Sequence, residues 1–288
     1  MRAALVGARI GQSLTPGMHE AEGRAHGLAY SYNSFDTDLA PWRGMALGAI
    51  LDRVEAEGYR GLNITHPHKM AVIAHLDRLS GAAAVLGTVN TVVFDGAERV
   101  GHTTDYSGFA AALRASALAA KDKRVVQFGA GGAGSATALA LVDAGARVTL
   151  IDKDADRPEA LAAKLRAARP QSTIDIGPAD LVHADGVVNA TPLGMDAYPG
   201  MAFDPSALRP DAWVADIVYF PLETALTTAA RARGLKVMNG GAMALYQAVD
   251  AFELITGLKA DTGRMQETFD RLMAERPNQC TETPRARP

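Results

Sequence analysis

The sequence is short of the residues that make chains unusual. Among 288 residues there is 1 cysteine, Cys280, there are 2 tryptophans, and aromatic residues make up 6%. A single cysteine excludes an intramolecular disulfide, a thiolate zinc cage and a Cys-x-x-Cys redox pair, and it fits a reducing, cytoplasmic setting. Neither sign of charge dominates: 29 Lys plus Arg stand against 32 Asp plus Glu, a net charge of -3. Nothing in that balance draws the whole molecule to nucleic acid or to an anionic membrane. No stretch reaches the roughly 18 unbroken apolar residues of a membrane span, and residues 1–12 lack the apolar core and cleavage site of a signal peptide. The expectation is a soluble, unexported protein with no nucleic-acid or membrane partner.

What is present is ordinary globular material, 48% apolar and 21% charged, enough for about two domains at roughly 150 residues each. Short β-like runs alternate with helix-like ones from end to end, which predicts α/β layers. Candidate strands cover 3–6, 30–35, 61–64, 90–94, 125–128, 147–151, 186–189, 213–217 and 236–238. Helices are predicted over 16–27, with Thr15 as N-cap, and over 106–120, 222–233, 242–256 and 262–274. The polar Lys121-Asp122-Lys123 marks the sharpest internal boundary, and the Pro- and Arg-rich end reads as a disordered tail.

Between a candidate strand and a helix former lies Gly129-Ala130-Gly131-Gly132-Ala133-Gly134. This is G-x-G-x-x-G in the context where glycines let a backbone approach a pyrophosphate at a helix N-terminus. Asp152 ends the next strand 18 residues past Gly134, close to the spacing of a ribose-binding acid, and predicts NAD over NADP, with NADP use still open. Four polar segments of the first half lie where strands meet loops or helices: Ser13-Leu14-Thr15-Pro16, Leu62 to Lys69, Thr88 to Thr91, and Gly101 to Asp105. Strand ends of open α/β sheets are where ligands bind, so these segments predict one pocket for a polyhydroxylated small acid. His66-Pro67-His68 has no nearby cysteine or paired acid, so no metal site is expected.

Taken in order, these motifs resemble the shikimate dehydrogenase family, and within it the quinate/shikimate dehydrogenases. The likeness runs through Asn63-Ile64-Thr65-x-Pro67-x-Lys69, Asn90-Thr91, Thr104-Asp105, the glycine loop, Asn189-Ala190-Thr191-Pro192-Leu193-Gly194-Met195, Asp216-Ile217-Val218-Tyr219-x-Pro221 and Gln247 to Phe252. It implies an N-terminal α/β substrate domain, residues 1–106, completed by C-terminal helices over 242–276, and a Rossmann NAD-binding domain over 107–241, leaving 277–288 as the tail. It implies Lys69 and Asp105 as the catalytic pair. Ser13, Thr15, Asn63, Thr65, Asn90, Tyr219 and Gln247 would meet the substrate, a hydroxylated ring acid. Gly129, Ala130, Gly131, Gly132, Ala133, Gly134, Asp152, Thr191 and Gly240 would lie along the dinucleotide. Thr103 stands where the family usually has Asn, and Asp152-Lys153-Asp154 replaces the Asn-Arg-Thr of biosynthetic members. The implied activity is hydride transfer between quinate or shikimate and NAD, by a monomer or homodimer. The alternatives are the biosynthetic NADP-dependent reduction, which belongs to aromatic amino acid biosynthesis, and a non-catalytic nucleotide-sensing homologue.

Overall fold

Runs such as Gly186 to Asn189 and Trp213 to Asp216 are buried at every position, the pattern of parallel strands covered on both faces. In the computed structural model, which describes residues 1–276, they lie in the second of two six-stranded sheets. The chain runs β1 (Arg2–Gly7), α1 (Thr15–Ala25), β2 (Ser31–Asp36), α2 (Leu47–Ala56), β3 (Gly61–Ile64), β4 (Arg78–Leu79), α3 (Gly81–Leu86), β5 (Thr91–Asp95) and β6 (Glu98–His102). Helix α4 (Thr104–Ala115) then leads into β7 (Arg124–Phe128), α5 (Gly132–Asp143), β8 (Arg147–Ile151), α6 (Asp156–Ala168), β9 (Ile174–Ile176) and β10 (Gly186–Asn189). The chain closes with β11 (Trp213–Asp216), α7 (Ala225–Ala232), β12 (Lys236–Met238), α8 (Gly240–Thr256) and α9 (Thr262–Ala274).

The first sheet has the order β2-β1-β3-β5-β6-β4, parallel at β2-β1-β3 and antiparallel at β3-β5-β6. The second has the order β12-β11-β10-β7-β8-β9 and is parallel throughout, a doubly wound sheet whose strand order reverses between β7 and β10. The protein is thus a two-domain α/β fold, a substrate-type domain followed by a Rossmann-like one. Helices α4 and α8 straddle the divisions expected at 106/107 and 241/242, and they pack on each other. Among the described residues no helix is long and apolar enough to cross a membrane. The tail at 277–288, with Cys280, lies outside the described residues.

Several element ends differ from the sequence expectation, each for a local reason. Thr15 is the first helical residue of α1 rather than its N-cap; Leu14 takes that position, and the Ser13 hydroxyl accepts from the Thr15 amide at 3.3 Å. Helix α4 starts at Thr104, so Asp105 sits inside its first turn, and it ends at Ala115 because Ala117 turns left-handed at φ 51°. Helix α7 starts only at Ala225, where the Thr224 hydroxyl accepts from the Thr227 amide. Strands β4, β6 and β9 and helices α2, α3 and α6 were not expected from the sequence pattern.

A buried ion pair ties the two ends of the substrate domain. Glu22 of α1, with a side chain 0% exposed, accepts from Arg264 Nε at 2.6 Å and Nη2 at 2.9 Å, and from the Asp261 amide at 2.8 Å. Burial alone would raise the carboxyl; the Arg264 and Asp261 hydrogen bonds more than offset it and hold Glu22 below its ordinary value. A carboxyl depressed in the folded state stabilises fully above its unfolded value of 4.5 and loses that contribution as pH falls through the folded value. Glu22→Gln is therefore expected to cost about 1.5–3 kcal/mol at pH 7, the worth of hydrogen bonds to a charged group. Urea unfolding of both proteins, repeated below pH 4.5, should show the gap between them shrinking.

Candidate functional site

A cleft of about 410 Å³ opens between the two domains. Its wall includes Ser13, Thr15, Asn63, Thr65, Lys69, Asn90, Asp105, Tyr219, Gly240 and Gln247, so residues from the four first-half segments meet three from the second half of the chain. Strand β3 ends at Ile64 and delivers Thr65 and, one turn later, Lys69. The β11–α7 segment brings Tyr219, and α8 brings Gly240 and Gln247. Gln247 reaches the cleft because Gly108 of α4 leaves room for it; a Cβ at Gly108 would stand 2.6 Å from the Gln247 amide nitrogen.

At the polar end of the cleft, Lys69 Nζ donates to Asp105 Oδ2 at 2.5 Å. The other carboxylate oxygen, Oδ1, accepts from Asn90 Nδ2 at 3.0 Å. Asn90 is 4% exposed and almost wholly engaged: its amide group also donates to Thr104 Oγ1 at 3.0 Å, while its Oδ1 accepts from the Thr104 backbone at 2.6 Å. Asn90 thus orients Asp105 and fixes the start of α4, a task that the Thr103 side chain does not take up. Asn63 is similarly engaged, accepting from the Tyr32 hydroxyl at 2.7 Å and donating to Thr91 Oγ1 at 3.0 Å. A neighbouring amine and carboxylate of this geometry can pass a proton to or from a hydroxyl held against them.

The glycine loop follows β7, beside the point where strand order reverses. Gly129 has φ +101°, and a Cβ there would meet the Ala190 carbonyl oxygen at 2.4 Å. Gly134 is pressed onto Gly129, with its Cβ position 2.3 Å from that residue's carbonyl oxygen. Gly131 and Gly132, by contrast, have nothing within 4 Å of a Cβ, so the loop presents bare backbone to open space at the start of α5. That is the cradle a dinucleotide pyrophosphate needs. Ala133 also lines the main cleft. Gln127, fully buried in β7, donates to the carbonyls of Gly129 at 2.8 Å and Gly134 at 2.7 Å and accepts from Thr137 at 2.9 Å. Sequence reasoning passed over it; a polar side chain inside the apolar run Val125-Val126-Gln127-Phe128 was the available signal.

Asp152 sits at the end of β8 and accepts from the Ala130 amide at 2.8 Å, beside the glycine loop. Asp154 nearby is paired with Arg157 at 3.1 Å. Thr191 is outside the main cleft wall and donates to Asn189 Oδ1 at 2.7 Å, shaping the turn after β10. Tyr219 is 38% exposed on the cleft wall; desolvation by its neighbours raises its phenol above the ordinary value, with Arg276 pulling it down and Asp105 pushing it up, so the hydroxyl remains a donor at neutral pH. His68 Nε2 meets Thr37 Oγ1 at 3.0 Å. Among the described residues no group of three His, Cys, Asp or Glu is placed to hold a metal.

Residues 5–92 match the family model of the shikimate dehydrogenase substrate binding domain, and residues 116–193 match one described as putative NAD(P)-binding. A shikimate dehydrogenase (NADP(+)) of Pseudarthrobacter chlorophenolicus is 48% identical over 276 residues, 94% of each chain. A quinate/shikimate dehydrogenase (NAD(+)) of Corynebacterium glutamicum is 47% identical over 272 residues, 92% of this chain and 96% of that one. The structure of quinate dehydrogenase from Corynebacterium glutamicum in complex with NAD superposes with a TM-score of 0.90 at 46% identity, covering 94% of this chain and 99% of that one.

The glycine geometry separates folding from binding. Gly134→Ala is expected to lose about 1–3 kcal/mol of stability, the range for forcing atoms into filled space. Gly131→Ala should leave the melting temperature near that of the parent yet weaken NAD binding at least about fivefold, because the new methyl occupies the open cradle. Thermal unfolding and a fluorescence titration with NAD check both; tight binding by the Gly131 variant would place the dinucleotide elsewhere.

Proposed function

The chain belongs to the shikimate dehydrogenase family, and from that premise we propose that it oxidises the 3-hydroxyl of quinate and shikimate with NAD, giving 3-dehydroquinate and 3-dehydroshikimate. The observation that carries this reading is the 2.5 Å contact between Lys69 and Asp105 in a cleft walled by hydroxyls and amides. In this reading Lys69, as the free amine, takes the proton of the reacting hydroxyl, and as ammonium returns it in the reverse direction. Asp105 orients the amine and steadies the ammonium, with its own second oxygen held by Asn90. Ser13, Thr15, Thr65, Tyr219 and Gln247 supply donors and acceptors for the ring hydroxyls and carboxylate. Asn63 and Asn90, with most of their hydrogen bonds made internally, contribute chiefly by shape. A bound nicotinamide would supply the acceptor for the hydride that leaves carbon. The glycine loop, Asp152, Thr191 and Gly240 would hold the dinucleotide.

Relatives at near-equal identity carry both coenzyme names, so identity does not choose between them. Two local features favour NAD. Asp152 offers a carboxylate at the ribose position, where a 2'-phosphate would be repelled. Asp154 engages Arg157, one of two neighbouring cations suited to such a phosphate; the other, Lys153, softens the repulsion and leaves NADP use open. The same reading takes the enzyme to be cytoplasmic, a monomer or homodimer, with its domains divided at 106/107 and 241/242. The biosynthetic reduction with NADPH is the second reading, supported by the Pseudarthrobacter relative.

Steady-state assays of quinate and shikimate, each with NAD and NADP, test the proposal directly; absence of turnover with all four pairs overturns it. Lys69→Ala should lower kcat by at least about 100-fold, the lower end of what a positioned acid-base group contributes. NAD affinity, measured by titration, should stay near that of the parent.

Asp152→Ser should raise the ratio of NADP to NAD specificity constants by about tenfold or more, since it removes both a ribose acceptor and a repelling charge. An unchanged ratio would make Asp152 a loop acid that only braces the Ala130 amide.

A further inference from the structure

Arg276, just past the end of α9, bridges the two lips of the cleft. Its Nη2 donates to Gln12 Oε1 at 2.9 Å, and its guanidinium carbon stands 3.7 Å from the centroid of the Phe220 ring. Gln12 belongs to the β1–α1 segment of the substrate domain, whereas Phe220 follows β11 in the Rossmann-like domain; both line the cleft. The charge is felt inside: Arg276 acts on the Tyr219 phenol, whose ring packs 4.1 Å from that of Phe220. Among the described residues Arg276 makes no ion pair, while the cations of the cleft wall are both paired, Lys69 with Asp105 at 2.5 Å and Arg9 with Asp38 at 3.9 Å. A molecule of net charge -3 offers an anion no general attraction, and a local cation at the rim can supply it.

Resting on the function proposed above, we propose that Arg276 is a specificity-determining residue for anionic substrates. It holds a guanidinium at the rim, raises the local concentration of a ring carboxylate, and links the two lips over it. A guanidinium has five N–H donors in a planar fork, so it can stack on Phe220, bond Gln12 and still attract a carboxylate.

The test compares the parent with Arg276→Gln and Arg276→Lys on shikimate and on its uncharged methyl ester, at ionic strengths from about 0.05 to 0.5 M, where the screening length falls through about 10 Å. Arg276→Gln should raise KM for shikimate about three- to tenfold with kcat changed less than about twofold, and should flatten the fall of kcat/KM with salt. The methyl ester should be used alike by parent and variant, and Arg276→Lys should restore the salt dependence. An unchanged KM and salt slope, or an equal loss on acid and ester, overturns the inference while leaving the activity in place. A parent inert toward both acids overturns the functional reading and this inference with it.

Discussion

The close crossing of α4 and α8 is the constraint on which the cleft depends. Helix α4 carries the chain out of the first sheet into the second, and α8 carries it back, so their contact sets how the two domains face each other. At Gly108 that contact is backbone against backbone, since a Cβ there would come 2.6 Å from the Gln247 backbone nitrogen; the start of α8 lies equally close to the segment after β11, where a Cβ at Gly240 would come 2.3 Å from the Val218 carbonyl oxygen. Any larger residue there would have to push main chain apart, since packed interiors have little free space to yield. Asp105 at the start of α4, Gln247 on α8 and Tyr219 beside Val218 therefore share one cleft as a consequence of helix packing. Phe109, Ala112, Leu139 and Met243, buried in one cluster, hold that crossing to α5 and the glycine loop.

Buried amides do the finer positioning. Asn90 joins β5 to α4, Gln127 joins the two ends of the glycine loop, and Asn189 joins the turn after β10 to Asp216 of β11. Each donates two hydrogen bonds through its NH2 and accepts at least one at its carbonyl, which a hydroxyl with one donor or a carboxylate with none could not do. Asp216, raised by burial, accepts from Asn189, from the Val218 amide and from Thr224. The Val218-Tyr219 segment and the cap of α7 thus hang on one carboxylate, so the side wall of the cleft is braced from within the Rossmann-like sheet. Leaving any of these groups unpaired would cost about 1–3 kcal/mol, a reason to expect the network to move as a unit.

How much of this was legible in the sequence depended on whether the signal was local. The spans 61–64, 186–189, 236–238 and 262–274 coincide with β3, β10, β12 and α9, where apolar runs or a capping Asp261 bound the element. The glycine loop was legible because the glycines its folding demands, Gly129 and Gly134, and those that leave bare backbone open, Gly131 and Gly132, fall in one short run. Strands β4 and β9 were not, having only two and three residues and, unlike Val237-Met238 of β12, no two adjacent apolar residues to mark them. Asn90 was legible as a pocket residue but not as the brace of Asp105, because that bond joins residues 15 apart across two elements. Helix α7 was extended too early over Leu222 and Glu223, since the pattern could not tell that the Thr224 hydroxyl would cap it.

Charge explains why the interior of such a site would rely on hydroxyls and amides and leave Arg276 to act from the rim, on Gln12 and Phe220. An ionic grip on a ring carboxylate would desolvate two charges and then have to release the product, which keeps that carboxylate unchanged. Neutral donors cost less to bury and hold it less tightly. The pairing of Lys69 with Asp105 follows the same economy. In the proposed mechanism, proton transfer to the amine would create an ammonium 2.5 Å from its counter-charge. The new charge would be met where it forms, by a group that Asn90 has already fixed in place. Preorganisation of that kind requires the brace to be rigid before substrate arrives, and the 4% exposure of Asn90 and 1% of Thr104 show that it is built into the core of the substrate domain.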